Sequence, residues 1–165
     1  MARLQEDIAE RLELLLEPHN AGEQELKDWL RGYGYKVKDV SDNPIYWKKD
    51  IDLIVDGETT IEVKWDSKLA ETGNLFIETI SNIDNNKKGW YEFCEADYLA
   101  YGDAIGKTFC IFNWAQLKAH IEAHKAEYKT ARAADYTKDG IKKYSQGYLV
   151  PIGTLSGLYN EIDVG

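Results

Sequence analysis

Two alternating segments on either side of a tight turn constrain the fold of this chain most. Residues 51–55 read Ile-Asp-Leu-Ile-Val and residues 60–65 read Thr-Ile-Glu-Val-Lys-Trp, with Asp56-Gly57-Glu58 between them. Apolar residues that alternate around a glycine-containing turn predict an antiparallel β-hairpin. Because successive side chains of a strand point to opposite faces, the register of this hairpin decides which residues share a face.

A three-residue turn gives a register that separates the apolar side chains from the charged ones. On one face it pairs Val55 with Thr59, Leu53 with Ile61, and Ile51 with Val63. The other face then has Asp52 opposite Glu62 and Asp50 opposite Lys64. A two-residue turn would pair Asp52 with Ile61 and mix the faces, so we reject it.

The charged face of the hairpin calls for a chemical explanation. Like charges on neighbouring strands repel, and carboxylates withdrawn from water need compensation. Bound Mg²⁺ would compensate Asp52 and Glu62, because it prefers carboxylate and water oxygens. Lys64 would then orient a water or stabilise charge on a phosphate. These three residues leave one alternative open, a salt bridge between Glu62 and Lys64 on an exposed face.

Helices and strands are predicted to alternate along the rest of the chain. Apolar residues at helical spacing predict helices over residues 3–17 and 22–32, ended by Pro18 and Gly32. Further expected elements are strands over 35–40, 75–80, 98–101, 108–112 and 147–152, a short helix over 88–95, and a helix capped by Asn113 that runs to about Tyr128. Residues 129–146 mix polar and charged side chains and are expected to be irregular or weakly helical. Because no repeat or linker interrupts the pattern, we expect one α/β domain over residues 1–165.

The stretch from Asp52 to Lys64 resembles the signature of the PD-(D/E)xK nuclease superfamily. Asp52 opens the first strand and Ile61-Glu62-Val63-Lys64 supplies the E-x-K of the second. Ile51 stands where the superfamily name has a proline, which is not a ligand position. The resemblance implies a restriction-endonuclease-like core, in which a mixed central β-sheet is flanked by helices.

The residues upstream of the hairpin extend this resemblance. The spacing of Glu23, Leu26, Leu30, Gly34-Tyr35 and Val37 is similar to that in the first helix and strand of archaeal-type Holliday junction resolvases. Small phage junction-resolving endonucleases share the same catalytic pattern. The resemblance covers residues 22–80 and, more loosely, residues 98–112.

The resemblance implies metal-dependent hydrolysis of a DNA phosphodiester. Asp52, Glu62 and the backbone carbonyl of Val63 would hold Mg²⁺, which Mn²⁺ can replace, and Glu23 would support this ion or a second one. Lys64 would contact the attacking water or the scissile phosphate. Glu25 is the reserve for Glu23, although it lies about 200° round the helix from it.

Several neighbouring residues have roles that the sequence leaves open. Candidates for DNA contact are Lys48, Lys49, Ser67 and Lys68, although Ser67 and Lys68 also suit an ordinary loop. Glu78 is either a further acid of the site or an exposed strand residue. Trp65 shares the apolar face of the hairpin and is expected in the core, whereas Trp47 either stacks on bases or packs inside.

Composition limits the class of protein and its surroundings. The net charge of −9 disfavours indiscriminate binding of nucleic acid but allows an acidic metal site. No apolar run approaches the roughly 20 residues that cross a bilayer, so no membrane association is expected. Cys94 and Cys110 are expected to be buried thiols in a cytoplasmic protein.

Three functions remain compatible with the sequence. The first is a junction-resolving or otherwise structure-selective DNA endonuclease of phage or bacterial type. It would act as a homodimer, with residues 1–18 as an N-terminal helical extension and candidate dimer element. The second is a restriction-type or repair nuclease of the same superfamily. The third is a nuclease-fold module without catalysis that binds DNA or a protein.

Overall fold

The computed structural model describes residues 21–103 and 107–165. The predicted helix 3–17 and the candidate dimer element 1–18 lie outside these residues. The helices are α1 (Ala21–Gly32), α2 (Pro44–Trp47), α3 (Leu69–Thr72), α4 (Trp90–Phe93) and α5 (Trp114–His124). The strands are β1 (Val37–Asp39), β2 (Leu53–Val55), β3 (Thr59–Asp66), β4 (Asn74–Asn82), β5 (Lys87–Lys88), β6 (Tyr98–Asp103), β7 (Thr108–Asn113), β8 (Lys129–Tyr136), β9 (Lys142–Pro151) and β10 (Tyr159–Asp163). Short 3₁₀ turns follow α5 and β9, at Lys125–Glu127 and Ile152–Thr154.

These strands form two sheets. The central sheet has the order β1-β2-β3-β6-β7-β10, and it is mixed because β3 and β6 run parallel whereas the other neighbours are antiparallel. The second sheet has the order β5-β4-β9-β8 and is antiparallel throughout. The predicted α/β class with a mixed central sheet is therefore confirmed.

The predicted hairpin register is confirmed over the three residues of β2. Leu53 pairs with Ile61 and Val55 with Thr59. Beyond Leu53 the pairing stops, and Asp50 adopts a positive φ of 51°. Ile51 consequently packs with the apolar cluster on the opposite side of the central sheet from Leu53, so the expected pairing with Val63 does not form.

The central sheet is covered on both faces. Helix α1 places Leu26 against Leu53, Ile61 and Phe109 on one face. The other face packs against α4, α5 and the second sheet, which contribute Leu75, Ile77, Trp90, Trp114 and Leu117 among others. Cys94 and Cys110 are buried free thiols, as predicted. In the described ranges, no helix is long and apolar enough to cross a membrane.

The C-terminal third of the chain differs most from the prediction. Residues 129–146 are not irregular or helical, because they form β8, a turn and the first half of β9. Strand β10 was not predicted at all. Asn113 does cap a helix, its side chain accepting a hydrogen bond from the Gln116 amide at 3.1 Å. That helix ends at His124, sooner than expected.

Candidate active site

Asp52 immediately precedes the first residue of β2, and backbone hydrogen bonds hold it on both sides. Its amide donates to the Ile61 carbonyl at 3.0 Å, and its carbonyl accepts from the Val40 amide at 2.8 Å. Its carboxylate Oδ2 accepts from the Val63 amide at 2.8 Å. Both the main chain and the side chain of Asp52 are therefore fixed beside β3.

Glu62 and Lys64 form an ion pair on the inner side of the central sheet. They alternate along β3 with Ile61, Val63 and Trp65, which belong to the cluster under α1. Their side chains therefore point to the opposite face. Lys64 Nζ lies 2.6 Å from Glu62 Oε1 and 5.1 Å from the centre of the Trp90 ring.

Burial rules out the simple surface form of this salt bridge. Glu62 is only 3% exposed, and the side chain of Lys64 retains 30% exposure. A carboxylate withdrawn from water to this degree is stable as an anion only with a close positive partner. The pair is thus a buried arrangement from which the lysine still reaches solvent.

The electrostatic environment perturbs both members of the pair. Burial raises the pKa of Glu62 to about 8, with Asp52 and Asp50 adding to the rise and Lys64 opposing it. Burial alone would lower the pKa of Lys64, but Glu62, Asp52 and Asp50 hold it above its usual range. Lys64 therefore stays protonated at neutral pH, whereas the raised pKa of Glu62 makes this glutamate easier to protonate than an exposed one.

Glu23 of α1 is a second buried acid near Asp52. Burial raises its pKa to about 8, and the negative charges of Asp52 and Asp39 raise it further. Asp52 also raises the pKa of Glu62, so the negative charge of Asp52 acts on both glutamates. A cluster of partly desolvated acids is typical of functional sites.

Asp39 is the member of this acid cluster that the sequence did not reveal. It hydrogen-bonds Glu23 and accepts from Lys27 Nζ at 2.7 Å and from Ser41 Oγ at 2.6 Å. Burial opposes ionisation of Asp39, yet the bonds from Lys27 and Ser41 hold its pKa well below the usual range. In the sequence, Asp39 is only a polar residue near the end of the predicted strand 35–40. Polar residues are common at the ends of strands, so this position did not mark it as part of a site.

Packing around Trp65 positions Glu23. The Trp65 ring lies 5.4 Å from that of Phe109, which confirms its predicted place in the core. A Cβ added to Gly22, the residue before Glu23, would overlap the Trp65 ring, and one added to Gly102 of the next strand would do the same. The start of α1 therefore approaches the sheet closely only because a glycine is there.

The two acids that the sequence left open have different surroundings. Glu25 Oε1 lies 3.7 Å from Lys107 Nζ. Glu78 is half-buried on β4, and its carboxylate accepts from the Trp90 amide. Burial raises the pKa of Glu78, whereas Lys64 and Lys143 lower it. Glu78 is thus the one of the two that lies near the candidate lysine.

The candidate DNA-contacting residues lie on exposed segments close to the site in sequence. Lys48 and Lys49 follow α2, and Ser67 and Lys68 precede α3. The Lys68 amide donates to Asp66 Oδ1 at 2.8 Å, which fixes the loop after β3. Trp47 is 61% exposed, so the core role is wrong for this residue.

The acids do not form a compact ligand cluster. Within residues 21–103 and 107–165, no three His, Cys, Asp or Glu side chains are grouped so that they could hold a metal ion. Asp52 accepts from Val63, and Glu62 is paired with Lys64. Both carboxylates are thus engaged by donors of the protein itself.

Comparisons with known proteins assign no family to this arrangement. No family model matches the chain, and no curated protein or solved structure was found to match it.

Proposed function

We propose that this protein is a Mg²⁺-dependent DNA endonuclease of the PD-(D/E)xK type, with a restriction-endonuclease-like core. The observation that carries the proposal is the convergence of Asp52, Glu62 and Lys64 at the end of the β2–β3 hairpin. A helix that brings Glu23 to the same acid, and a mixed sheet flanked by helices, support it.

The oxygen donors of these residues are of the type that a divalent cation prefers, and binding would require Asp52 and Glu62 to be released from Val63 and Lys64. Asp52, Glu62 and the Val63 carbonyl would hold Mg²⁺ or Mn²⁺, with Glu23 in support. Burial, with added repulsion from Asp52, raises the pKa values of Glu23 and Glu62, and a bound cation would offset this by favouring their ionised forms. When bound, the ion would lower the pKa of a water and offset charge on the phosphate.

The protein's own residues would position the substrate and supply positive charge. Lys64 keeps its proton and remains partly exposed, so its ammonium group would contact the scissile phosphate or orient the attacking water. Release of Glu62 from Lys64 would free both a carboxylate oxygen and an ammonium group for these tasks. The Trp90 ring beside Lys64 would limit the positions that the ammonium adopts.

Structure-selective cleavage, as in Holliday junction resolvases, is the form of this activity that we favour. Resolution of a junction cuts two strands, which two copies of one site in a homodimer would do symmetrically. The homodimer is part of this proposal, and sedimentation of the full chain at several concentrations tests it. A restriction-type or repair nuclease would prefer linear duplex DNA in the experiment that follows.

The decisive experiment is cleavage of branched, linear duplex and single-stranded DNA with Mg²⁺, Mn²⁺ or EDTA. We expect metal-dependent cleavage, strongest on the branched substrate. Glu62→Gln and Lys64→Gln should abolish it, whereas Glu58→Gln in the exposed hairpin turn and Lys36→Gln before β1 serve as charge-matched controls.

Two results would reject the proposal. One is the absence of cleavage with every substrate and metal by a folded protein, which would favour a module without catalysis. The other is cleavage that persists in both site variants, because such activity would come from a contaminating nuclease or from other residues.

A further inference from the structure

Basic residues are concentrated in the hairpin formed by β8 and β9. Residues 129–151 contain five basic residues and only two acidic ones, Asp135 and Asp139, in a chain with a net charge of −9. The basic residues are Lys129, Arg132, Lys138, Lys142 and Lys143. A positively charged segment on an otherwise acidic protein produces a local field that attracts anions.

Much of this hairpin extends beyond the four-stranded sheet as a two-stranded ribbon. Strand β4 pairs with residues 146–151 of β9 only. Strand β8 pairs along its whole length with residues 142–149 of β9. The Ile83 amide after β4 still donates to the Tyr144 carbonyl at 2.9 Å. Residues 135–143 therefore form a two-stranded ribbon and its turn, which is closed by the Thr137 amide donating to the Ile141 carbonyl at 2.8 Å.

The β8–β9 hairpin, which comprises the ribbon and its base in the sheet, carries positive charge on both faces. Arg132 pairs with Gln146, and residues 142, 144 and 146 share a face because alternate residues of a strand do. Lys142 lies on that face, with its Nζ 5.8 Å from the centre of the exposed Tyr144 ring. Lys143 lies on the opposite face, and Lys138 lies in the turn.

The second sheet extends this charge across its width. Lys88 at one edge and Arg132 at the other belong to a single row, because Ile80 pairs with both Lys88 and Gln146, and Gln146 pairs with Arg132. With strands about 4.8 Å apart, the row spans roughly 14 Å. Both terminal residues of the row are exposed.

The ribbon also borders the candidate active site. Glu78 pairs with Gly147 of β9, and Lys143 lies on the same face of β9 four residues away. The Glu78 carboxylate accepts from the Trp90 amide, and the Trp90 ring lies 5.1 Å from Lys64 Nζ. Glu78 therefore lies near both the ribbon and the candidate site, and both lysines act on its charge. Asp135 pairs with Lys143 across the ribbon and offsets part of its charge.

We propose that the β8–β9 ribbon, together with Arg132 at its base, binds the phosphate backbone of DNA beside the phosphodiester that is cleaved. This inference rests on the proposed nuclease function and names the surface that holds the substrate. Its basis is the juxtaposition of an exposed basic ribbon with Glu78 and Lys64. Phosphate contacts hold a nucleic acid in register without reading its sequence, as a structure-selective enzyme requires.

Binding of fluorescent DNA in EDTA tests this surface without cleavage. The full-length protein is titrated with branched, duplex and single-stranded DNA at several salt concentrations. The test variant is Arg132→Ala/Lys143→Ala, and the control is Lys36→Ala/Lys125→Ala, which removes the same charge from two exposed lysines outside the second sheet. Circular dichroism verifies that each variant is folded.

We expect the ribbon variant to bind DNA roughly tenfold more weakly at 0.1 M salt. The slope of log K against log salt should fall by about 1.8 for duplex DNA, because each lost phosphate contact removes about 0.9. The control should keep the wild-type slope, and Arg132→Lys/Lys143→Arg, which keeps the charge, should restore binding.

The outcomes separate this inference from the proposed function. If the wild type cleaves DNA through Lys64 but the ribbon variant binds as tightly as the control, the ribbon proposal is wrong and the nuclease stands. If the wild type neither binds nor cleaves DNA, both fail. RNA that binds more than tenfold tighter than DNA of equal length would overturn DNA as the occupant.

Discussion

The Val63 amide donates its hydrogen bond to the Asp52 carboxylate at 2.8 Å and not to a backbone carbonyl across the hairpin. This bond coincides with the end of β2 at Leu53 and with the separation of Ile51 from the apolar face. A residue proposed to hold a metal thus also shapes the backbone around it.

Two substitutions of Asp52 separate these roles. Asp52→Asn keeps an oxygen acceptor for the Val63 amide but loses the charge, so we expect loss of cleavage with a change in unfolding free energy within about 1 kcal/mol. Asp52→Ala leaves that amide without its partner, at a cost of about 1–3 kcal/mol. Urea denaturation and cleavage of the same preparations check both results. Equal stability of the two variants would contradict the structural role of the carboxylate.

Lys64→Met should abolish cleavage and also destabilise the fold. The loss of the ammonium leaves the buried Glu62 without its partner, a change that costs roughly 3 kcal/mol in comparable buried pairs. Lys64→Met/Glu62→Leu should recover most of that stability, because two apolar side chains replace the pair. Thermal unfolding and cleavage assays follow the two properties separately.

The double variant decides whether Lys64 serves only the fold. Recovery of stability without recovery of cleavage is the expected result. Recovery of both would mean that the ion pair is purely structural and would remove Lys64 and Glu62 from the site.

Glu23→Gln should make the protein more stable at alkaline pH. The pKa of Glu23 is about 8 in the folded protein against an ordinary 4.5, so the folded state keeps a proton that the unfolded chain releases. The free energy of unfolding therefore falls as pH rises from about 4.5 to 8 and is level above that. Glutamine stays neutral and still donates to Asp39, so the variant escapes this loss.

The full shift corresponds to about 5 kcal/mol, which solvent screening around this partly desolvated carboxyl reduces to the order of 2 kcal/mol at pH 9. That is roughly 4–8 °C in melting temperature, with little difference at pH 4.5. Glu25→Gln on the same helix is the matched control. Metal-free buffers are needed, because a bound cation would favour the ionised glutamate. A melting temperature that is unchanged at pH 9 would show that Glu23 is already ionised at little cost.

Gly22→Ala should destabilise the protein by about 1–3 kcal/mol. The new methyl group would overlap the Trp65 ring, so α1 would have to shift or the ring would have to leave its position. Gly32→Ala at the end of the same helix meets no atom within 4 Å and should be neutral or slightly stabilising. Because Glu23 follows Gly22, cleavage should fall in the first variant even at temperatures where it is folded.

The sequence predicted the parts of the fold that local chemistry determines. The turn at Asp56-Gly57-Glu58 gave the hairpin register, and Asn113 correctly marked the start of α5. Residues 129–146 were interpreted wrongly because alanine, lysine and aspartate, which are depleted in strands, make up much of the segment. The residue-by-residue pairing of β8 with β9 compensates for this weak strand signal.

The candidate site was predictable to a smaller extent. The spacing of Asp52, Glu62 and Lys64 along one hairpin sufficed to place them together, because the hairpin is local. Asp39 and the nearness of Glu78 to Lys64 depend on how α1 and the second sheet pack onto that hairpin. Such contacts join residues far apart in sequence, and no sequence motif predicts them.

The long separation between β4 and β9 has a consequence for the order of assembly. Ile77 pairs with Tyr148, about 70 residues later in the chain. The β4–β9 pairing can form only after β9 has been synthesised, whereas the β2–β3 hairpin can form much earlier during synthesis. Glu62 and Lys64 would meet first, in an open and hydrated setting, and would lose water only when later elements, such as α4 with Trp90, pack against them. The raised pKa of Glu62 would therefore develop during folding, as burial proceeds.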